Sequence, residues 1–304
     1  MQNKQALTAV DVIILIIMAV VLMWAFLATC SAPGHQKIRN RIVCGINLKG
    51  LGTAMTVYAH DYDDNYPQLP GKGLWSKELG FDYDMRSPDF RQGGAQANTA
   101  RNITASWYLL VREADVAPKS FVCPASTQRP FDGTNPARLD ITELWDFGPD
   151  PYKHVSYSLH NPYGKHPATA ASSANFATAA DMNPWFRNGD IIPPGIGGSS
   201  PQIIKVEDSK TWSLGNSCNH PPVKKTLFGR RQIKGPAEAQ NVVYADGHSV
   251  YEKFTNCGSN RDNIYTFWSK EDDPTAQDTQ GGTNPTSRSA ENDAKSKDDS
   301  FLAI

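Results

Sequence analysis

The sequence predicts an α+β protein in which a long N-terminal helix, apolar and then amphipathic, packs on an antiparallel β-sheet within a loop-rich domain. Three observations support this fold class. An uncharged apolar run extends from Val12 to Thr29, and a pattern with helical spacing follows over residues 36–60. The chain contains 23 glycines and 21 prolines, most of them after residue 66. This composition favours short strands and turns over a helical bundle.

The apolar run predicts a membrane-spanning helix over residues 7–29. About twenty apolar residues are enough for a helix to cross the hydrocarbon core of a bilayer, where only a helix or a closed barrel satisfies the backbone polar groups. A core helix of a soluble protein is usually shorter and has one apolar face, whereas this run is apolar on every face. Residues 1–6 precede it as a short polar leader that contains Lys4.

Asp11 places a carboxylate near the start of this apolar segment. An acidic residue in a membrane segment is costly and marks a candidate functional site. The alternative is that Asp11 lies at the headgroup boundary and begins the helix, where a carboxylate complements the helix dipole. Position alone leaves both interpretations open.

The segment Ala6-Leu7-Thr8-Ala9-Val10-Asp11 resembles the cleavage site of type IV prepilins and type II secretion pseudopilins. This resemblance implies cleavage by a prepilin peptidase between Ala6 and Leu7, with methylation of the new N-terminus. It also implies that Asp11 neutralises the Leu7 amine of an adjacent subunit, so that other pseudopilins are partners through the N-terminal helix. The family usually has Gly at the position of Ala6 and Glu at that of Asp11.

Residues 30–66 are predicted to form an amphipathic helical spine. The segment Ser31-Ala32-Pro33-Gly34 should interrupt the first helix, and a second helix is expected from about Gln36 to His60. Its apolar residues recur mostly at spacings of three and four, and the resulting stripe is expected to pack under the sheet. The stripe consists of Ile38, Ile42, Ile46, Leu48, Leu51, Met55 and Tyr58. A membrane helix that continues into such a spine resembles the pilin architecture.

Further motifs resemble a group of pseudopilin-like proteins of planctomycete-type bacteria, and together they cover residues 6–269. That group has a closing motif in which His precedes Asp-Gly by about nine residues. Here the motif corresponds to His220, Asp246, Gly247 and His248, with an apparent insertion over residues 221–239 that contains a basic, exposed hairpin tip at 226–234. The other matching segments are Arg41–Gly52, Tyr58–Pro67, Ser106–Arg112, Phe121–Pro124, Val155–Ser158, Asp181–Pro184, Asn216–His220, Gln240–His248 and Asp262–Thr266.

Asp246-Gly247 lies between two apolar segments, Val242–Tyr244 and Ser249–Tyr251. Asp-Gly between such segments is a strong hairpin signal, which favours a structural role for Asp246. The alternative is that His220, Asp246 and His248 converge on a metal ion, but no metal site is predicted.

The five cysteines, Cys30, Cys44, Cys123, Cys218 and Cys257, contain no CxxC pair, which argues against a zinc ribbon. Four of them lie beyond the membrane end and allow three pairings. Proximity to the motifs favours Cys44 with Cys123 and Cys218 with Cys257, and free buried thiols are the alternative. Leu27-Ala28-Thr29-Cys30 also resembles a lipoprotein cleavage site, at which Cys30 would be acylated.

The acidic segment Asp61, Asp63, Asp64 and Asn65 invites a calcium interpretation. An EF-hand loop starting at Asp61 would need Gly and Glu where Tyr66 and Lys72 stand, so a solvated helix end is the better interpretation. No cofactor is expected, with calcium as the open exception. The sequence also lacks the common hydrolase, metalloprotease and phosphate-loop motifs, and an enzyme is not predicted.

Residues 67–269 are expected to form the globular β-rich domain, and residues 270–304 a disordered acidic tail. The tail carries eight acidic and four basic residues among Gly, Ser, Thr, Asn and Pro, and such a segment offers little apolar area for folding. The formal net charge of −1 gives no reason to expect nucleic-acid binding.

The resemblance implies a non-enzymatic pseudopilin-like subunit of a type II secretion or type IV pilus-like assembly. Its N-terminus would be cytoplasmic, its helix would cross the inner membrane once, and its domain would be periplasmic or on the cell surface. The charge pattern conflicts with this orientation, because Lys37, Arg39 and Arg41 follow the span and only Lys4 precedes it. The alternatives are a membrane-anchored extracytoplasmic binding protein, a lipoprotein acylated at Cys30 and, last, an anchored hydrolase.

Overall fold

The structure, a computed structural model, describes two compact units, residues 1–40 and 41–304. Within them it describes residues 8–30, 33–71, 75–97, 99–194, 201–221, 223–226, 229–232 and 237–304. Side chains are described for these residues except within 26–35 and 222–236. The fold is α+β, with helices at the N-terminus and an antiparallel sheet, as the sequence predicts.

The first unit contains helix α1, Ala9–Cys30, and the beginning of helix α2, Pro33–Asp61. The two helices match the two predicted helices. Of the predicted interruption, Pro33 and Gly34 are helical, and Ser31 and Ala32 lie outside the described residues. From Val10 to Trp24 the large apolar side chains on every face of α1 are between 44% and 75% exposed.

By length and composition, one helix of the described chain, Gln36–Asp61, could cross a membrane, and 39% of its most apolar stretch is buried in the protein. Ala9–Ala25 of α1 is a shorter apolar stretch. The two helices differ in their surroundings, because the middle and end of α2 contribute to the core while the large apolar side chains of α1 from Val10 to Trp24 are exposed. A helix with one face in the core of a folded domain can be equally long and apolar without entering lipid.

Only part of the predicted stripe on α2 is buried. Leu48, Leu51, Met55 and Tyr58 lie in the core as predicted, together with Cys44 and Ala59. The prediction was wrong for three isoleucines of the stripe, which are exposed: Ile38, Ile42 and Ile46. Their spacing of four places them on a separate row of the helix surface, since the buried row starts at Cys44 and alternates between spacings of four and three.

The central sheet has five antiparallel strands in the order β8-β7-β2-β1-β9. These strands are β1 Tyr157–His160, β2 Ala177–Asp181, β7 Gln240–Tyr244, β8 Ser249–Glu252 and β9 Leu302–Ala303. Two small hairpins lie outside it, β3 Phe186–Arg187 with β4 Asp190–Ile191, and β5 Val223–Thr226 with β6 Gly229–Gln232. The second hairpin forms within the apparent insertion, where the sequence predicts a hairpin tip.

Helix α2 approaches the sheet closely through glycine. A Cβ atom on Gly52 would lie 2.9 Å from Cγ1 of Val243 on β7, and one on Gly45 would lie 3.0 Å from Oδ1 of Asn241. Asn47 on the same helix donates a hydrogen bond to the carbonyl of Val122 at 3.2 Å. The amphipathic part of α2 therefore packs on the sheet as predicted, with glycines rather than the isoleucines at the contact.

A second core helix, α3, Ile103–Glu113, is absent from the sequence-based prediction. Asn102 caps its N-terminus by accepting a hydrogen bond from the backbone of Ala105 at 3.2 Å. Every residue from Ile103 to Val111 is buried. The helix has only 11 residues, and periodicity alone does not distinguish so short an apolar segment from a buried strand.

The prediction of a disordered tail over residues 270–304 was wrong. Strand β9 adds to the edge of the sheet beside β1, with Leu302 opposite His160 and Ala303 opposite Leu159. The buried residues of this segment are Gly281, Gly282, Asn284, Pro285, Asp293, Ala294 and Asp299–Ile304. Two of its acidic residues, Asp293 and Asp299, are buried hydrogen-bond acceptors, so the charged composition does not keep the segment in solvent.

Candidate functional site

Four side chains with metal-ligating or redox chemistry meet in the core of the second unit. Cys44, Cys123, Asp181 and His220 are all buried, and their ligand atoms lie within 4.8 Å of one another. They come from four places in the chain: the buried row of α2, the segment after a 3-10 turn at Pro118–Phe121, the end of β2, and the segment before β5. We call this group the Cys–His–Asp cluster.

Cys44 and Cys123 form a disulfide with a Cα–Cα distance of 5.2 Å, which is the first of the two predicted pairings. The second prediction, Cys218 with Cys257, was wrong, since both are unpaired. Cys218 lies between two residues whose side chains point inward, Ser217 toward the Met182 carbonyl and Asn219 toward Asp181. Cys218 itself is exposed.

His220 connects the disulfide to Asp181. Its Nε2 atom lies 3.6 Å from Sγ of Cys123 and 3.4 Å from Oδ2 of Asp181. The histidine side chain is 2% exposed and the aspartate side chain is fully buried. A buried carboxylate is costly unless it is paired and hydrogen-bonded, and here the imidazole provides one of its contacts.

Two asparagines hold the carboxylate of Asp181 in place. Asn219 Nδ2 donates to Oδ1 at 2.9 Å. Asn241 donates to Oδ2 from its backbone N–H at 2.8 Å and from Nδ2 at 3.1 Å. Asn241 lies on β7, next to β2 in the sheet, so the strand pairing itself positions these donors. The cluster combines sulfur, imidazole and carboxylate donors in a buried site.

The closing motif is divided between two places. His220 belongs to the Cys–His–Asp cluster, whereas Asp246, Gly247 and His248 form the turn between β7 and β8. Gly247 has φ +81°, and its N–H donates to the Tyr244 carbonyl at 2.9 Å. Pairing of Val243 with Ser249 confirms the predicted hairpin.

Asp246 has the structural role that its sequence context favours. Its Oδ1 accepts a hydrogen bond from the His248 backbone N–H at 3.0 Å and contacts the His248 ring, and these bonds lower the pKa of Asp246. His220 is buried while Asp246 and His248 are exposed. Over the residues that the structure describes, these three do not form a group able to hold one metal ion.

At the N-terminal segment, Ala6 and Leu7 lie outside the described residues, as does the side chain of Cys30. Asp11 forms a capping box with Thr8. Its Oδ2 accepts from Thr8 N at 2.9 Å and from Thr8 Oγ1 at 2.6 Å, and Asp11 N donates to Thr8 Oγ1 at 3.3 Å. In the single chain, Asp11 therefore helps to cap the N-terminus of the helix, which begins at Ala9.

The acidic segment after α2 is a solvated helix end. Asp61, Asp63, Asp64 and Asn65 are all exposed. Asp63 and Asp64 have positive φ values of 51° and 62°, and Asp64 N donates to the Ala59 carbonyl at 2.9 Å. These residues end the helix and turn the chain toward Asn65, which pairs with Thr169.

Asp181 is the member of the cluster to which sequence reasoning assigned no role. It ends a strand of small residues, Ala177–Asp181. An acidic residue at the end of a buried strand is the sequence feature that could have indicated its role. Comparison with known proteins adds no identification, since no protein-family model, curated protein or solved structure matches the chain.

Proposed function

We propose that the protein is a non-enzymatic, pseudopilin-like subunit that is anchored by α1 and assembles with other helices of its kind. The observation that carries this proposal is the exposure of α1, whose apolar side chains have no protein partner on any face between Val10 and Trp24. Water is an unfavourable environment for such a surface. Lipid, or the apolar helices of neighbouring subunits, would cover it.

The beginning of α1 supports the assembly step. Asp11 lies within the first turn, close to the predicted new N-terminus at Leu7. A mature amine in lipid requires a counter-charge, and a carboxylate from a neighbouring subunit would provide one. A buried ion pair of this kind fixes register more than it adds stability. The exposed isoleucines of α2 add a second apolar row for contacts between subunits.

Processing is tested by the intact mass and N-terminal sequence of the protein from native membranes. A chain that starts at Leu7 is the expected result. A chain that starts at an acylated Cys30 would replace the filament subunit with a lipoprotein. An intact Met1 would leave a membrane-anchored extracytoplasmic protein without prepilin processing, and the domain would then act on a permanent anchor.

Assembly is tested by Asp11→Ala, with Thr8→Ala as the matched control. Thr8→Ala removes the hydroxyl of the capping box, at a cost of about 1 kcal/mol, and keeps the carboxylate. Asp11→Ala removes the carboxylate itself, and losing one partner of a buried ion pair costs about 3–5 kcal/mol. Co-assembly, measured by cross-linking in membranes, should be lost in Asp11→Ala and retained in Thr8→Ala. Equal assembly of the two variants would reduce Asp11 to a helix cap.

A further inference from the structure

We propose that the Cys–His–Asp cluster is a redox-dependent metal site, which holds one Zn²⁺ ion when the Cys44–Cys123 disulfide is reduced. The disulfide alone does not account for the other two members. A disulfide is neutral and needs no ionic partner, yet Asp181 and His220 are both buried against it. Two thiolates, an imidazole and a carboxylate form a ligand set suited to zinc.

The distances within the cluster fit a tetrahedral ion. Zinc binds sulfur at about 2.3 Å and nitrogen or oxygen at about 2.0–2.2 Å, so that its ligand atoms lie roughly 3.3–3.8 Å apart. The distances from His220 Nε2 to Cys123 Sγ and to Asp181 Oδ2, 3.6 Å and 3.4 Å, fall in this range. The other ligand atoms lie within 4.8 Å of one another, and the two sulfur atoms separate when the disulfide is cleaved.

The surroundings of the cluster provide hydrogen-bond donors for a site of net negative charge. Two thiolates, one carboxylate and a neutral imidazole around Zn²⁺ leave one negative charge. Asn219 and Asn241 donate to Asp181, and the backbone N–H of Ala125 points to Cys123 Sγ at 3.4 Å. Such outer contacts orient metal ligands and contribute to metal affinity.

The chemical step requires an external reductant. A phosphine transfers two electrons to the disulfide, takes up the oxygen of one water molecule, and leaves two thiols and a phosphine oxide. Zn²⁺ then displaces the two thiol protons and forms two Zn–S bonds, one Zn–N bond and one Zn–O bond. In the reverse direction, a disulfide oxidant accepts two electrons, the Cys44–Cys123 bond forms again, and the ion is released.

The experiment uses the full chain in detergent, reduced with a phosphine that is then removed under anaerobic conditions. Zinc is titrated and bound metal is measured by native mass spectrometry, with Co²⁺ as a spectroscopic probe of tetrahedral thiolate coordination. We expect about one Zn²⁺ per reduced chain and no bound zinc in the oxidised chain. Asn219→Ala should weaken binding about 10–100-fold, and His220→Gln, which removes a ligand, should weaken it further.

Cys218→Ser and His248→Gln are matched controls, because they remove a thiol and an imidazole outside the cluster, and they should bind zinc like the unmodified chain. A reduced, folded chain without stoichiometric zinc would overturn the proposal, as would His220→Gln with unchanged affinity. If reduction unfolds the protein, circular dichroism measures whether zinc refolds it. Four ligands that build a site couple binding to folding, so a reduced chain that zinc fails to refold also contradicts the proposal.

Discussion

At the scale of single residues, Asp146 shows how burial changes the chemistry of a carboxyl group. Its carboxyl accepts hydrogen bonds from Asn102 Nδ2 at 2.5 Å, from Thr104 Oγ1 at 3.0 Å and from Phe147 N at 2.8 Å. Burial raises the pKa of Asp146 from 3.8 to about 7, although the three hydrogen bonds oppose this shift. The group connects the capped start of α3 to the segment before residue 150.

This pKa predicts a pH-dependent contribution to stability. Between about pH 4 and 7 the folded state keeps the Asp146 proton and the unfolded state has lost it, so the free energy of unfolding falls as the pH rises. The contribution is fully present below the unfolded pKa and is lost as the pH approaches 7. The slope for one such group is about 1.4 kcal/mol per pH unit. Asp146→Asn should remove it, which urea denaturation between pH 5 and 7 would measure.

Asp132→Asn is the control for this measurement. Asp132 is exposed, and hydrogen bonds from Thr134 lower its pKa instead. The difference in unfolding free energy between Asp146→Asn and the unmodified chain should change steeply with pH, and the corresponding difference for Asp132→Asn should not. A difference for Asp146→Asn that stays constant from pH 5 to 7 would contradict the buried, protonated carboxyl.

Residue-level prediction from sequence was reliable where the cause is local. The turn at Asp246-Gly247 depends on the positive φ that glycine allows, and four residues of sequence contain that information. The cluster of Cys44, Cys123, Asp181 and His220 depends instead on how a helix, a strand end and two loop segments meet in the fold. The sequence supplied one of its contacts, the disulfide, but no spacing rule connects Asp181 to His220.

At the scale of elements, the helices show when periodicity is informative. The end of helix α2 was predicted within one residue, because its buried row recurs at spacings of four and three. Helix α3 was missed because its 11 residues are too few for periodicity to distinguish a helix from a buried strand. Within α2 the sequence did not distinguish the buried row from the exposed isoleucines, since a spacing of four residues occurs in both.

The contact of α2 with β7 predicts opposite effects for two glycine substitutions. A Cβ on Gly52 would meet the buried side chain of Val243 at 2.9 Å, so Gly52→Ala should force the helix or the strand to shift. Overpacking of this kind costs about 1–3 kcal/mol. Gly50 lies on the exposed side with nothing within 4 Å of its Cβ position. Gly50→Ala should therefore stabilise the protein by up to about 1 kcal/mol, the difference in helix propensity.

Thermal unfolding of the two variants, followed by circular dichroism, measures both effects. Val243→Ala provides a further control, because removing the two methyl groups makes room for the new Cβ atom. The cost of Gly52→Ala should become smaller when it is combined with Val243→Ala. If Gly52→Ala were as stable as Gly50→Ala, the close approach of helix and strand would be wrong.

At the scale of the whole molecule, the last segment of the sequence shows what composition cannot reveal. Its acidic residues suggest a solvated tail, yet two of the aspartates serve as buried acceptors for backbone donors. Asp299 accepts from Trp268 N at 2.9 Å and from Lys295 N at 2.7 Å, while Asp293 accepts from Lys165 N at 3.1 Å. A count of charges treats such groups as solvated, and only the fold shows that they are internal.

The final four residues complete the core, which predicts that their loss affects the whole second unit. Phe301 is fully buried between the rings of Phe267 and Trp75, with centroids at 5.6 and 6.1 Å. Phe301→Ala should lower the free energy of unfolding by about 3–5 kcal/mol. Lys297→Ala, on an exposed residue of the same segment, should stay within about 0.5 kcal/mol of the unmodified chain.

Urea denaturation measures both variants, and limited trypsin digestion reports on the segment itself. Lys295 and Lys297 should resist cleavage in the unmodified chain and become sensitive in Phe301→Ala, because strand β9 and the aspartate contacts hold this backbone in place. Equal stability and equal cleavage of Phe301→Ala and Lys297→Ala would mean that the segment detaches without unfolding the domain. In that case the core would end near residue 269, where the sequence alone places the boundary.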